Sequence, residues 1–155
     1  MDLFLLRHAD ANTEAAKDDE RPLSEKGISQ AKKVGRFCKE HNLKPELILT
    51  SPVLRATATA EIVAEILKGD LMTEPWLACG MQPEKALEEL RGYERFGQVM
   101  IVGHQPDFSL LAAHLLGLRD NEQIAIRKAS LTHLELGAFL FGSARLCFTV
   151  PCRLM

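Results

Sequence analysis

The chain has 155 residues, 46% of them hydrophobic and 26% charged, with a formal net charge of -2. These values exclude a disordered, fibrous or low-complexity chain and fit one globular domain over residues 1–155, long enough to bury about 70% of its unfolded surface around a single core. The near-neutral balance gives no general attraction to nucleic acid or an anionic membrane, so any bound anion must be met by local clustering of Arg and Lys.

The N-terminal stretch from Met1 to Arg7 has no basic leader and no small-residue cleavage site, and no apolar run approaches the about 20 residues needed to span a bilayer. A cytoplasmic protein is expected. Cys38, Cys79, Cys147 and Cys152 match neither a zinc framework nor a CxxC redox pair, and are read as reduced thiols.

Residues 2–7 form an unbroken apolar run, the pattern of a strand covered on both faces. Residues 9–22 turn polar and charged, and read as a loop with room for one helical turn, lying over the end of that strand. Ser24 is placed as the N-cap of a helix whose apolar stripe is Ile28, Ala31, Val34 or Gly35, and Cys38, ending near His41-Asn42. A second strand is expected over residues 47–50, and Ser51-Pro52 is read as a helix start, with Leu54, Ala58, Ile62, Ile66 and Leu67 as the buried stripe to about residue 67.

A short strand over Leu71-Met72-Thr73, an irregular stretch over residues 75–82, a helix from Pro83 to Arg91 and a strand over residues 98–102 follow. Pro106 is expected to start a helix carrying Leu110, Leu111, His114, Leu115 and Leu118. Residues 129–136 and 138–150 alternate as strands, with turns at Gly137 and Gly142-Ser143. The order predicts a three-layer α/β sandwich: a mostly parallel central sheet, helices on both faces, and antiparallel strands at one edge.

Three apolar runs end in chemistry-bearing residues: Arg7-His8, Thr50-Ser51-Pro52 with Arg55 shortly after, and Gly103-His104. Ligands of an open α/β sheet sit outside the carboxyl ends of its strands, so these three ends are expected to share one crevice. Arg7 and Arg55 offer planar donor forks that match a tetrahedral oxyanion, and Arg55, one turn into its helix, stands where a cation is unfavourable unless an anion meets it. Neighbouring cations lower the pKa of an imidazole, so one of His8 and His104 could stay neutral and attack a phosphoryl group while the other adds charge to it.

The motifs Leu6-Arg7-His8-Ala9, Leu49-Thr50-Ser51-Pro52 with Arg55-Ala56 and Thr59-Ala60, and Val102-Gly103-His104 resemble, in order and spacing, those of the histidine phosphatase superfamily, the phosphoglycerate mutase-like fold. Its short SixA-type branch, the phosphohistidine phosphatases, is resembled by the chain length, by Arg21 to Gly27, by Gly103-His104-Gln105-Pro106 and by Lys128-Ala129-Ser130-Leu131. The resemblance implies that His8 is the nucleophile, that Arg7, Arg55 and His104 hold the phosphate, that Arg21 stands at the rim, and that no metal or organic cofactor is used. It further implies a phosphorylated protein substrate, such as the histidine phosphotransfer domain of a signalling relay, or a small phosphate ester.

Two departures stand out. Ala9 replaces the glycine usual in the wider family, and no acid aligns with the proton donor of its mutases and broad phosphatases, although Glu74, Glu84, Glu88 and Glu89 are near in sequence. Asp18, or Asp19, in the loop after His8 is a candidate acid. A metal hydrolase using His8, Asp10, Asp18 and His104 is a competing reading, weakened by two arginines that would repel the ion. A phosphate-binding or phosphoprotein-binding module without turnover is another.

Overall fold

The first apolar run forms β1 (Asp2–Arg7), in which Leu3, Phe4, Leu5 and Leu6 are fully buried. The structure, a computed structural model, describes residues 1–15, 17–119 and 124–155. Ala16, in the loop expected over residues 9–22, lies outside the described residues; within that loop Asp18–Glu20 make one 3-10 turn and Ala11 bridges Leu23.

The chain continues through α1 (Glu25–Glu40), β2 (Leu47–Thr50), α2 (Leu54–Leu67), β3 (Asp70–Thr73), a 3-10 turn at Pro75–Leu77, α3 (Pro83–Arg91), β4 (Gln98–Gly103), α4 (Asp107–Leu115), β5 (Leu131–Leu136) and β6 (Ala144–Val150). The sheet order is β3-β2-β4-β1-β5-β6. The first four of these are mutually parallel, and β5 and β6 are added antiparallel at the β1 edge.

Alternation along the strands divides the core. Leu3, Leu5, Leu49 and Ile101 face Leu87 and Leu90 of α3 and Phe108 and Leu111 of α4, whereas Phe4, Leu6, Ile48 and Met100 face Val34 of α1 and Ala60 and Val63 of α2. Burying each such side chain contributes about 1.5–3 kcal/mol, so the central strands are anchored from both sides. The expected three-layer α/β sandwich is what the chain forms. Among the described residues no helix is long and apolar enough to cross a membrane.

Ser24 caps α1 as expected, its Oγ accepting the Gly27 N–H at 3.0 Å. The stripe below it differs from the expectation: Ile28 is 39% exposed, and Gly27, Ala31, Val34, Gly35 and Cys38 form the inner face. Gly27 is there because no side chain fits. A Cβ at this position would stand 1.9 Å from the carbonyl oxygen of Asp10. The loop after His8 therefore rests directly on the helix backbone.

The larger correction concerns α2. It begins at Leu54 with Val53 as its cap residue, not at Ser51-Pro52, and its buried face is Arg55, Ala56, Thr59, Ala60, Val63 and Ala64. Leu54, assigned to the core from its hydrophobicity, is 44% exposed. The helix is rotated toward its small residues because α1 and α2 approach closely, a Cβ on Gly35 falling 2.8 Å from Ile66 Cδ1.

At the other edge β5 starts at Leu131, since Ala129 takes a φ of 53° and gives its N–H to the carbonyls of Arg7 and His8. The strand expected from residue 138 starts at Ala144, because the Ser143 hydroxyl gathers the Ala138 and Leu140 carbonyls into a turn. The helix opened by Pro106 ends at Leu115, short of Leu118.

The Gly27 contact gives a direct test. Gly27→Ala should destabilise the protein by about 1–3 kcal/mol, as overpacking against backbone does. Thermal melting should show a Tm lowered by several degrees, whereas Ser29→Ala, on the exposed side of the same helix, should leave Tm unchanged.

Candidate active site

β1 and β2 flank β4 in parallel, which sets the three chemistry-bearing strand ends side by side. The His8 N–H donates to the Gly103 carbonyl at 2.9 Å and the Ser51 N–H to the Val102 carbonyl at 3.0 Å, extending the ladder into the crevice. Gly103 keeps the approach open, since a Cβ there would lie 2.8 Å from the Phe108 ring. His8, His104 and Arg55 are buried, at 7%, 2% and 4% exposure, and the two imidazole centroids are 5.3 Å apart.

His8 Nδ1 lies 2.8 Å from the carbonyl oxygen of Ala9. A carbonyl only accepts, so Nδ1 carries the proton and Nε2 keeps its lone pair. Arg55 Nε–H points at that lone pair from 3.4 Å. Burial lowers the His8 pKa to about 4 against the help of the Ala9 hydrogen bond, with Arg55, Arg7 and Lys128 adding electrostatic pressure in the same direction. His104 is lowered to about 3, first by burial and then by His8 and Arg55. Both imidazoles are neutral at physiological pH.

His104 Nε2 lies 2.8 Å from Ser51 Oγ, and its buried Nδ1 has no protein partner. Ser51, read from sequence as a helix cap, thus holds a histidine, while its Oγ also accepts the Val53 N–H at 3.2 Å. Thr59 was missed as a positioning group. Its Oγ1 donates to the Arg55 carbonyl at 2.7 Å and accepts the Ala9 N–H at 3.1 Å, tying α2 to the residue that orients His8. The only sequence signal for Thr59 was its place in the Arg55-to-Ala60 motif.

The structure brings Arg7, His8, Arg55, His104, Asp18 and Arg21 to one crevice. Arg7 donates from Nη1 to the Ile126 carbonyl at 3.0 Å, while its buried Nε has no protein partner. The Asp18 carboxylate bridges Arg55 Nη2 at 3.0 Å and Arg21 Nη2 at 2.8 Å, and the Asp18 carbonyl accepts Arg55 Nη1 at 2.7 Å. Asp18 is thereby a charge partner of both arginines, with a side chain 70% exposed. Cys79, exposed and 3.8 Å from Arg55 Nη2, is a neighbour that nothing in its sequence context announced.

The other acids are engaged elsewhere. Glu74 accepts from the Tyr93 hydroxyl at 2.5 Å, Glu84 faces His114, and Glu88 and Glu89 pair with Lys85. Asp10 is held by Lys128 at 2.7 Å and Ser24 at 2.8 Å, which keeps its carboxyl below the usual range and apart from the imidazoles. Among the described residues no group of three or more His, Cys, Asp and Glu side chains has the arrangement of a metal site.

The model of the histidine phosphatase superfamily (branch 1) matches residues 3–78, which include Arg7, His8 and Arg55. The phosphohistidine phosphatase SixA of Escherichia coli is 32% identical over 119 residues, covering 74% of each chain. This chain belongs to the histidine phosphatase superfamily. Within it the likeness is to the SixA type, and the solved structure of a protein histidine phosphatase SixA complexed with tungstate superposes with a TM-score of 0.89 at 25% identity over 100% of both chains. An alpha-ribazole phosphatase from Shigella flexneri shares the fold, with a TM-score of 0.82 at 18% identity, covering 98% of this chain and 97% of that one. The chain is a phosphatase of this superfamily with the phosphoglycerate mutase-like fold.

Two outcomes follow from the geometry. The unfolded chain binds protons on His8 and His104 near pH 6.5 while the folded chain does not until about 4 and 3, so the unfolded state holds more protons in between. The stability these groups leave intact above about pH 6.5 is therefore lost as pH falls toward 4, and urea midpoints of a His8→Asn/His104→Asn variant should fall less steeply across that window. Asp18→Asn removes the carboxylate that occupies Arg55 and Arg21, so inorganic phosphate should inhibit the variant more tightly, by about tenfold in Ki. An unchanged Ki would show that the carboxylate does not compete for the phosphate position.

Proposed function

We propose that this protein hydrolyses phosphohistidine on a protein, in the manner of a phosphorelay phosphatase, through a covalent phosphohistidine at His8. The observation that carries the reading is the buried imidazole whose Nδ1–H is fixed on the Ala9 carbonyl, leaving the Nε2 lone pair beside the Arg55 guanidinium. Tungstate, a tetrahedral oxyanion, is bound in the structure of the similar SixA protein, and the unpartnered donors of this crevice suit such an anion.

In the first step His8 Nε2 forms a bond to phosphorus as the P–N bond to the substrate imidazole breaks, and that ring, already protonated on its other nitrogen, departs as neutral imidazole. Water then attacks phosphorus, His8 leaves as the neutral imidazole, and inorganic phosphate is released. Arg7 and Arg55 hold the equatorial oxygens from two sides, and His104, with Ser51 fixing its Nε2, turns Nδ1 toward them. Arg21 joins at the rim once phosphate replaces the Asp18 carboxylate.

Phosphohistidine is favoured over an ester by the engagement of Glu74, Glu84, Glu88 and Glu89 with Tyr93, His114 and Lys85. An alkoxide needs a proton as it leaves, whereas an imidazole leaves from the weaker P–N bond without a dedicated acid. Asp18 is the carboxyl best placed to assist an ester, being the one beside Arg55. The alternative of a small-ester phosphatase therefore predicts dependence on Asp18. No metal is assigned to the reaction, and the cytoplasm is the proposed compartment.

The test is turnover of a phosphorylated histidine phosphotransfer domain against a panel of small phosphate esters, with chelator present throughout. Wild type should release phosphate from the protein faster than from any ester and form an acid-labile phosphoenzyme. His8→Ala should abolish both, and Arg7→Ala or Arg55→Ala should slow turnover by about 100- to 1,000-fold. Normal hydrolysis by His8→Ala sinks the mechanism, and faster turnover of an ester that collapses in Asp18→Asn replaces the substrate.

A further inference from the structure

Beside the catalytic crevice lies a groove of about 480 Å³ whose walls come from four separate parts of the chain. Arg7 and Asp10, Lys26, Arg127 and Lys128, and Arg153 of the C-terminal segment all line it. Five cations and a single carboxylate line this groove in a chain whose net charge is -2. The carboxylate, Asp10, is already paired to Lys128 at 2.7 Å, so Lys26, Arg127 and Arg153 present their charge to solvent from exposed positions.

We propose that this groove docks an acidic surface of the phosphorylated protein substrate; this rests on the phosphohistidine reading above. Three features support a protein surface as the occupant. The cations sit on long exposed side chains, which gather negative charge from a distance but do not enclose a small molecule as a mostly apolar pocket does. Arg7 lines the groove and acts on His8, so the groove adjoins the crevice and is within reach of residues that flank a phosphohistidine held there. The charge is local, since the protein as a whole is weakly acidic and would otherwise repel an acidic partner.

The groove thus supplies selection among phosphohistidine proteins. His8, Arg7, Arg55 and His104 read the phosphoryl group, which every such substrate shares, whereas the groove reads what surrounds it. Charge at a rim acts mainly on encounter and register, and it weakens as salt screens it.

Two phosphohistidine peptides of equal length, one flanked by Asp and Glu and the other by Ser and Gly, test this directly. At low salt the wild-type protein should turn over the acidic peptide about tenfold more efficiently in kcat/KM, and the preference should shrink as salt is raised. A Lys26→Ser/Arg127→Ser/Arg153→Ser variant should lose the preference while hydrolysing free phosphohistidine at the wild-type rate. A Lys39→Ser/Lys44→Ser/Lys68→Ser variant removes the same charge at the amino end of β2, away from the crevice, and should keep it. Fluorescence anisotropy of the same peptides on His8→Ala reads the groove without turnover. Failure to hydrolyse either peptide, with tighter binding of the acidic one retained, would therefore overturn the substrate reading alone. Equal binding of the two peptides, a preference that survives the groove variant, or one equally lost in the distant variant overturns the groove's role.

Discussion

Arg55 is a cation in the first turn of a helix, buried to 4% exposure, and each of those facts is unfavourable unless negative charge reaches it. The structure meets the cost in several ways at once. The Asp18 carboxylate and carbonyl take its two terminal nitrogens, the His8 lone pair faces Nε, and the loop carrying Asp18 is set against α1 by the absence of a side chain at Gly27. The turn at Ser51-Pro52-Val53 and the rotation of α2 toward its small residues both place this guanidinium inward. A phosphate in the crevice would take over the part Asp18 plays, and would bring its charge to Arg7 as well.

The same arrangement decides the chemical state of His8. A buried imidazole near two guanidinium groups is neutral, and neutrality alone would leave two tautomers open. The Ala9 carbonyl removes one of them. Thr59 holds Ala9 by its N–H and Arg55 by its carbonyl, so the tautomer of His8 and the position of the Arg55 guanidinium are set through one hydroxyl. The His8 imidazole and the Arg55 guanidinium are consequently coupled by packing, an arrangement that needs little reorganisation when an anion is brought to it.

The strand ends were legible in the sequence because an unbroken apolar run followed by Arg-His or Gly-His marks both a buried strand and what it delivers. The extents of β2 and α3, and the cap of α1, followed from equally local signals. What was misread depended on partners distant in sequence. Leu54 and Ile28 look like core residues in isolation, but the closeness of α1 to α2, and of α1 to the Asp10 backbone, selects Gly, Ala and Thr for those faces and turns the larger side chains outward. Ser51 carried a strong cap signal, and its hydroxyl does accept a local N–H, but its other partner, His104, is 53 residues away. No periodicity in the sequence reports such a bond.

No acid in the sequence aligns with the proton donor of the wider family's mutases and broad phosphatases, and the electrostatics of the crevice show what its carboxylates do. In this crevice the nearby carboxylate forms ion pairs with Arg55 and Arg21, and the remaining glutamates are held by Tyr93, His114 and Lys85. A site so arranged is strong at binding an anion and weak at delivering a proton. Such a site suits a leaving group that departs without one, as the proposed phosphohistidine substrate would.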